Sequence, residues 1–250
     1  MHALLLSALL GGLFTVAAPA DAHAQQAGLL ARTVRLNQDF YQYQVHVPAK
    51  HQGQEKLPVI LFLHGIGQRG AGGFVPHEGA AGVLARKYLE QVPAIVVLPQ
   101  CRQDRYWHDP EMERMVLAAL DQTVVEFGAD SQRLYLTGVS MGGYGAWHMA
   151  AQSAGKFAAV VPICGGSPLR GRDRFAPIAR RVGRTPSWVF HGADDRIVPV
   201  SESRRMVEAL RAVEGSRVRY SEYAGVGHSV WLNALAEPEL MSWLFAQRLD

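Results

Sequence analysis

Cysteine is scarce in this chain, with two in 250 residues. That is too few for a small domain held together by disulfides. Charge is sparse and balanced: Lys+Arg is 25 against Asp+Glu 22, and charged residues are 19% of the total. Long apolar runs are nearly absent. The one candidate, residues 3–18, is shorter than the ~20 residues a membrane-spanning helix needs, so a multi-span membrane protein is excluded. Disorder is excluded as well, because 48% of the residues are hydrophobic and can be buried. What the chain has in surplus is glycine, 25 residues where an average of roughly 7% would supply fewer. No Gly-X-Y period accompanies it, so collagen is excluded. The surplus must serve tight backbone turns.

Residues 3–18 are followed by Ala22-His23-Ala24, with small residues where a signal peptidase needs them. This pattern is that of a secretory signal peptide cut after Ala24, leaving residues 25–250 as a single domain, secreted or periplasmic. No Lys or Arg precedes the apolar run, so an uncleaved anchor is the alternative. No cysteine follows the run to carry a lipid, and no membrane insertion is expected after cleavage. The basic residues are nearly all arginine, and they cluster only between Arg170 and Arg184. That cluster reads as a solvated face or as a rim attracting anions. It lacks interleaved aromatics for stacking bases, so nucleic acid is not an expected partner. Cys101 and Cys164 follow strand-like runs, and their pairing is open. Oligomeric state is open too.

Short apolar runs recur at 59–63, 94–98, 134–137, 158–163, 188–190 and 218–223. Continuous runs of this length suit strands buried on both faces of a parallel sheet. Tyr41, Tyr43, Val45 and Val47 alternate with polar residues and predict an antiparallel edge strand. Between the runs, Met112, Met115, Val116, Ala119, Leu120 and Val124 follow helical spacing. Met206, Val207, Leu210 and Val213 do the same behind a Ser201 cap. Residues 235–249 predict a closing helix entered through Pro238. Alternating strands and helices imply an α/β domain with a mostly parallel central sheet flanked by helices. Ligands of such sheets sit beyond the carboxyl ends of the strands, and there the glycines gather.

The most specific motif is Gly138-Val139-Ser140-Met141-Gly142, between a strand and a small-residue helix. It places a nucleophilic serine on a sharp turn, where side chains two residues either way would collide with backbone. The helix N-terminus offers the Met141 N–H to a developing oxyanion. A structural Gly-Ser turn is the alternative. Serine needs a base, and His228, on the glycine-flanked loop 225–231, is the candidate. His64 and His191 open His-Gly strand endings and read as turn residues; His148 lies on the helix after Ser140, facing away or buried. Asp195 is the candidate to orient the base, with Asp194 as the alternative and helix capping as the competing role for either. The glycine-rich loop from His64 to Gly73 supplies the second oxyanion donor, the Ile66 N–H. A phosphate cradle there would need a Gly-Lys-Ser/Thr that is missing. No His/Asp/Glu group has ligand spacing, so no metal and no cofactor is expected.

With residues 61–67, Leu98-Pro99-Gln100-Cys101 with Trp107, Gly138 to Trp147, residues 162–166, residues 191–199 and Gly227-His228, the chain resembles the α/β-hydrolase superfamily. Within it, the likeness is to the phospholipase/carboxylesterase, "predicted peptidase" esterase group. The chain order Ser140, Asp195, His228 is that superfamily's order. The resemblance implies an α/β-hydrolase fold with minimal or no cap domain, a triad of Ser140, Asp195 and His228, and an oxyanion hole from Ile66 and Met141. It implies a serine carboxylesterase working on a small-molecule ester through an acyl-enzyme. A feruloyl or acetyl esterase of plant cell-wall polysaccharides is the alternative, with Trp107 as a stacking surface for the substrate, packing in the core being the competing role of that residue. A binding protein that has lost catalysis on the same scaffold is the competing class.

Overall fold

The computed structural model describes residues 27–49, 56–70, 89 and 92–249. The segment 1–24 lies outside them, as does most of the loop beyond Gly70. Eight strands form one sheet in the order β1-β2-β4-β3-β5-β6-β7-β8. They are β1 (Gly28–Leu36), β2 (Asp39–Val47), β3 (Val59–Leu63), β4 (Ile95–Pro99), β5 (Leu134–Val139), β6 (Ala159–Ile163), β7 (Ser187–Gly192) and β8 (Val218–Tyr223). β1 and β2 form an antiparallel hairpin, and β2 pairs antiparallel with β4. From β4 to β8 every pairing is parallel. Among the described residues the α-helices are α1 (Pro110–Glu126), α2 (Met141–Gln152), α3 (Ala176–Val182), α4 (Ser201–Arg211), α5 (Trp231–Leu235) and α6 (Leu240–Phe245).

The central strands are apolar at nearly every position because helices cover both faces. Val59, Leu61 and Leu63 of β3 enter one core with Met112, Met115 and Leu120 of α1, Trp147 and Met149 of α2, and Met206 and Leu210 of α4. Ile60 and Phe62 of the same strand point the other way, toward Val230, Leu235, Leu240 and Leu244. Each such side chain, fully buried, contributes roughly 1.5–3 kcal/mol of transfer free energy. α1 starts with Asp109 at its N-cap, Pro110 at the first position, and Glu111 and Glu113 in the first turn. Proline's fixed φ and the acidic charges both suit a helix N-terminus. Among the described residues no helix is long and apolar enough to cross a membrane.

Three expectations change. The strand around Tyr41 to Val47 is not an edge, because β1 pairs along its whole length. β1 escapes a pattern reading: its outer face is wet and it carries Arg32 and Arg35. The closing helix 235–249 is two short helices, α5 and α6, broken around Pro238, whose missing N–H and ring cannot continue a helix. Ser201 is the first helical residue rather than the cap; Val200 occupies that position, and no side chain caps the helix.

Candidate active site

β5 runs directly into α2, and Ser140 is the single residue between them. Its backbone lies at φ 57, ψ −116, a region that L-residues rarely adopt. Two glycines make this turn possible. A Cβ on Gly138 would lie 2.3 Å from the Gly142 carbonyl oxygen, and one on Gly142 would lie 1.9 Å from that of Leu63. Both distances are far inside contact, so only glycine serves at either position. The turn is tied to the next strand by the Ser140 N–H donating to Ile163 O at 2.9 Å. Met141 opens α2, and Ile66 opens a short 3₁₀ turn after β3. Neither N–H donates to another backbone group among the described residues. Each can receive an oxyanion.

His228 follows β8 on the same edge of the sheet. Its Nε2 lies 2.9 Å from Ser140 Oγ and its Nδ1 lies 2.7 Å from Asp195 Oδ2. Nδ1 faces a carboxylate, so it carries the proton and donates; Nε2 is then free to accept from the serine hydroxyl. The alternative acid, Asp194, is exposed, whereas Asp195 is buried. Asp195 Oδ1 accepts from the Ile197 and Val198 N–H groups at 2.8 and 2.9 Å. Burial pushes the Asp195 carboxyl up, but the hydrogen bonds from His228, Val198 and Ile197 outweigh it and hold the group below the usual carboxylate value. The arrangement sets out an unbroken path for a proton from a hydroxyl to an imidazole, with an anion behind it.

Trp107 does not line this site. It is fully buried, its indole N–H donates to His64 O at 2.9 Å, and its Cβ occupies the space that a side chain at Gly145 would need. With both ring faces enclosed it presents no stacking surface; its role is to brace the chain leading into the Ile66 turn. Cys101 and Cys164 are free and buried. They follow β4 and β6, three strand spacings apart, or roughly 14 Å at about 4.8 Å each, beyond the reach of a disulfide. Arg170, Arg172, Arg180, Arg181 and Arg184 are exposed. Arg180 and Arg181 sit in the last turn of α3, where cations complement the helix dipole. Arg174 pairs with Glu202. The cluster is a solvated face.

Two features near the serine were not legible in advance. Cys164 holds a left-handed backbone, φ 41. Its sulfur lies within 4.8 Å of ligating atoms of Asp195 and His228. Burial pushes that thiol up to about 12, and both imidazole nitrogens are engaged by Asp195 and Ser140. The thiol keeps its proton and points it at His228 O, 3.8 Å away. The second feature is that His191 and His64 do more than end strands: each ring is hydrogen-bonded at both of its nitrogens. His148, as expected, turns away from the serine, with Nε2 at 2.8 Å from Glu113.

A family model described as phospholipase/carboxylesterase matches residues 108–238, and one described as putative esterase matches residues 34–169. Among solved structures, a thermostable esterase is 33% identical, with a TM-score of 0.74, over 88% of this chain and 63% of that one. An acylaminoacyl peptidase of Pyrococcus horikoshii shares the fold at 18% identity, with a TM-score of 0.67, over 90% of this chain and 42% of that one. A bifunctional acetylxylan esterase/xylanase of Neocallimastix patriciarum is 27% identical over 165 residues, 62% of this chain and 22% of that protein. The chain therefore spans less than two thirds of each of these relatives.

Proposed function

Because the chain belongs to the phospholipase/carboxylesterase family of α/β-hydrolases, we propose that it hydrolyses carboxylic esters by a two-step serine mechanism. Ser140 Oγ attacks the carbonyl carbon while His228 Nε2 takes its proton. The imidazolium formed is stabilised by Asp195, and the negative carbonyl oxygen is received by the Ile66 and Met141 N–H groups. As the tetrahedral intermediate collapses, Nε2 returns the proton to the departing alkoxide and an acyl-Ser140 ester remains. Water, deprotonated by the same nitrogen, attacks that ester; the acid leaves and the hydroxyl is restored.

The observation that carries this reading is the pair of distances across one ring, 2.9 Å to Ser140 and 2.7 Å to Asp195. The test is labelling by a fluorophosphonate probe together with turnover of a p-nitrophenyl ester series. Wild type should be labelled and active, and Ser140→Ala should be neither. Labelling of both proteins to the same extent would refute the assignment. A second reading takes acetyl esters of polysaccharides as the substrate, supported by the likeness to the acetylxylan esterase/xylanase. Release of acetate from acetylated xylan faster than from p-nitrophenyl acetate would favour it. Buried Trp107 cannot serve a feruloyl variant as a stacking platform; the support for that variant is the likeness to a feruloyl esterase module of Clostridium thermocellum, 16% identical over 90% of this chain and 91% of that one, with a TM-score of 0.66. Residues 1–24 as a cleaved signal peptide, and with it export from the cytoplasm, belong to the same proposal; N-terminal sequencing of the exported protein should begin at Gln25.

A further inference from the structure

The loop that carries Asp195 is built around a second imidazole. His191 is fully buried at the end of β7, four residues before Asp195. Its Nε2 lies 2.9 Å from Val198 O and 3.3 Å from Asp195 Oδ2. Both neighbours are acceptors, so Nε2 must carry a proton. Its Nδ1 lies 2.7 Å from Ser203 Oγ on α4. Burial, the largest influence on this ring, pushes it below the ordinary histidine value, so the ring is neutral and Nδ1 accepts. The Ser203 proton therefore points at Nδ1, and Gly165 O, at 3.3 Å from the same oxygen, is the lesser contact.

The consequence runs through the backbone. By holding the Val198 carbonyl, His191 closes the loop over Asp195, so that the Ile197 and Val198 N–H groups meet Oδ1. The same N–H lies with its positive end beside Oδ2, the oxygen that receives His228. We infer that His191, kept in its Nε2–H form by Ser203, is a positioning residue that sets the orientation and basicity of Asp195 and, through it, of His228. This rests on the proposed triad.

Other groups also act on this carboxylate. His228 comes from the loop after β8, Cys164 from the end of β6, and the Tyr144 hydroxyl from α2; Glu222 on β8 is near His191 and is itself paired with Arg204 and Tyr220. None of them supplies a donor to both Val198 O and Asp195 Oδ2, so none replaces His191.

The test compares His191→Phe, which removes the donor, with His191→Gln, whose amide can place an N–H close to that of Nε2. In His191→Phe, kcat should fall about tenfold, the loss of one buried hydrogen bond, with KM unchanged. The acid limb of the pH–rate profile should move to higher pH, because a carboxylate with one donor fewer binds the imidazolium more strongly. His191→Gln should recover most of both. Ser203→Ala, a small change that spares the fold should His191→Phe not fold, should move kcat and the acid limb in the same direction by less. Wild-type rate and profile in Ser203→Ala, or a profile unshifted in a folded His191→Phe, would overturn the inference. The rate of fluorophosphonate labelling separates the triad from the role of His191. If wild type is not labelled, the triad reading fails; if wild type is labelled and His191→Phe reacts as fast, only the role of His191 fails.

Discussion

β3 runs out at His64-Gly65 and β7 at His191-Gly192, and the two buried rings keep their protons on opposite nitrogens. His64 Nδ1 donates to Gly65 O at 2.7 Å, and its Nε2 accepts the Cys101 N–H at 3.1 Å. His191 does the reverse, donating from Nε2 and accepting at Nδ1. The first ring fastens the Ile66 turn to the end of β4, on the side where an oxyanion would form. The second fastens the Asp195 loop on itself, on the side where the base is held. Both are neutral because they are buried, yet the partner at each nitrogen, rather than the His-Gly dipeptide, decides the tautomer. One short sequence signal thus supports the two halves of the site in different chemical forms.

That comparison can be broken from either side. The largest effect is expected on the acid side: Asp195→Asn should lower kcat about 10⁴-fold, because an amide in place of the carboxylate invites the wrong His228 tautomer. Ester turnover by the folded variant checks it, and a loss of less than tenfold would remove Asp195 from the triad. The next expected effect is on stability. Burial holds His64 down to about 4, against an ordinary value near 6.5, so the unfolded chain binds a proton that the folded one refuses. Stability should therefore fall as pH drops from about 6.5 toward 4, by ~3 kcal/mol from this ring alone. Urea midpoints across that range should be flatter with pH in His64→Phe than in wild type.

On the oxyanion side, His64→Phe should also cut kcat about a hundredfold, the scale of losing one oxyanion donor. It should leave the acid limb of the pH–rate profile in place. A shifted limb would mean that the two halves are not independent. The smallest effect belongs to a histidine outside both halves. His148→Gln loses the partly exposed pairing with Glu113 and an edge contact with the His108 ring. It should change stability by less than about 1 kcal/mol and leave ester turnover at the wild-type rate, and a large loss of turnover would extend the site along α2 to His148.

Much of this was readable from residues alone. The elbow at Ser140 follows from Gly138 and Gly142, where a Cβ would strike backbone, and the proposed acid and base follow from their places after β7 and β8. The parallel core strands were legible because burial on both faces requires unbroken apolar runs. What was not legible depends on partners distant in sequence. Trp107 has the chemistry of a stacking platform, and only the slot left by Gly145 in α2 turns it into a buried brace. β1 pairs fully through its backbone while its side chains alternate between wet and half-buried, so no hydrophobic run announces it. A tautomer depends on which atoms arrive from β4 or α4, and neither His-Gly dipeptide encodes them.

The backbone at Ser140 also bears on durability. A residue held at φ 57, ψ −116 sits where a side chain costs of order 1–3 kcal/mol of strain, and glycine at that point would relieve it. The side chain that would carry the reaction is therefore one that the fold would be more heat-resistant without. Screens of this protein for thermal tolerance alone should favour Ser140→Gly, which would abolish the proposed turnover, so selection for resistance has to be coupled to selection for activity.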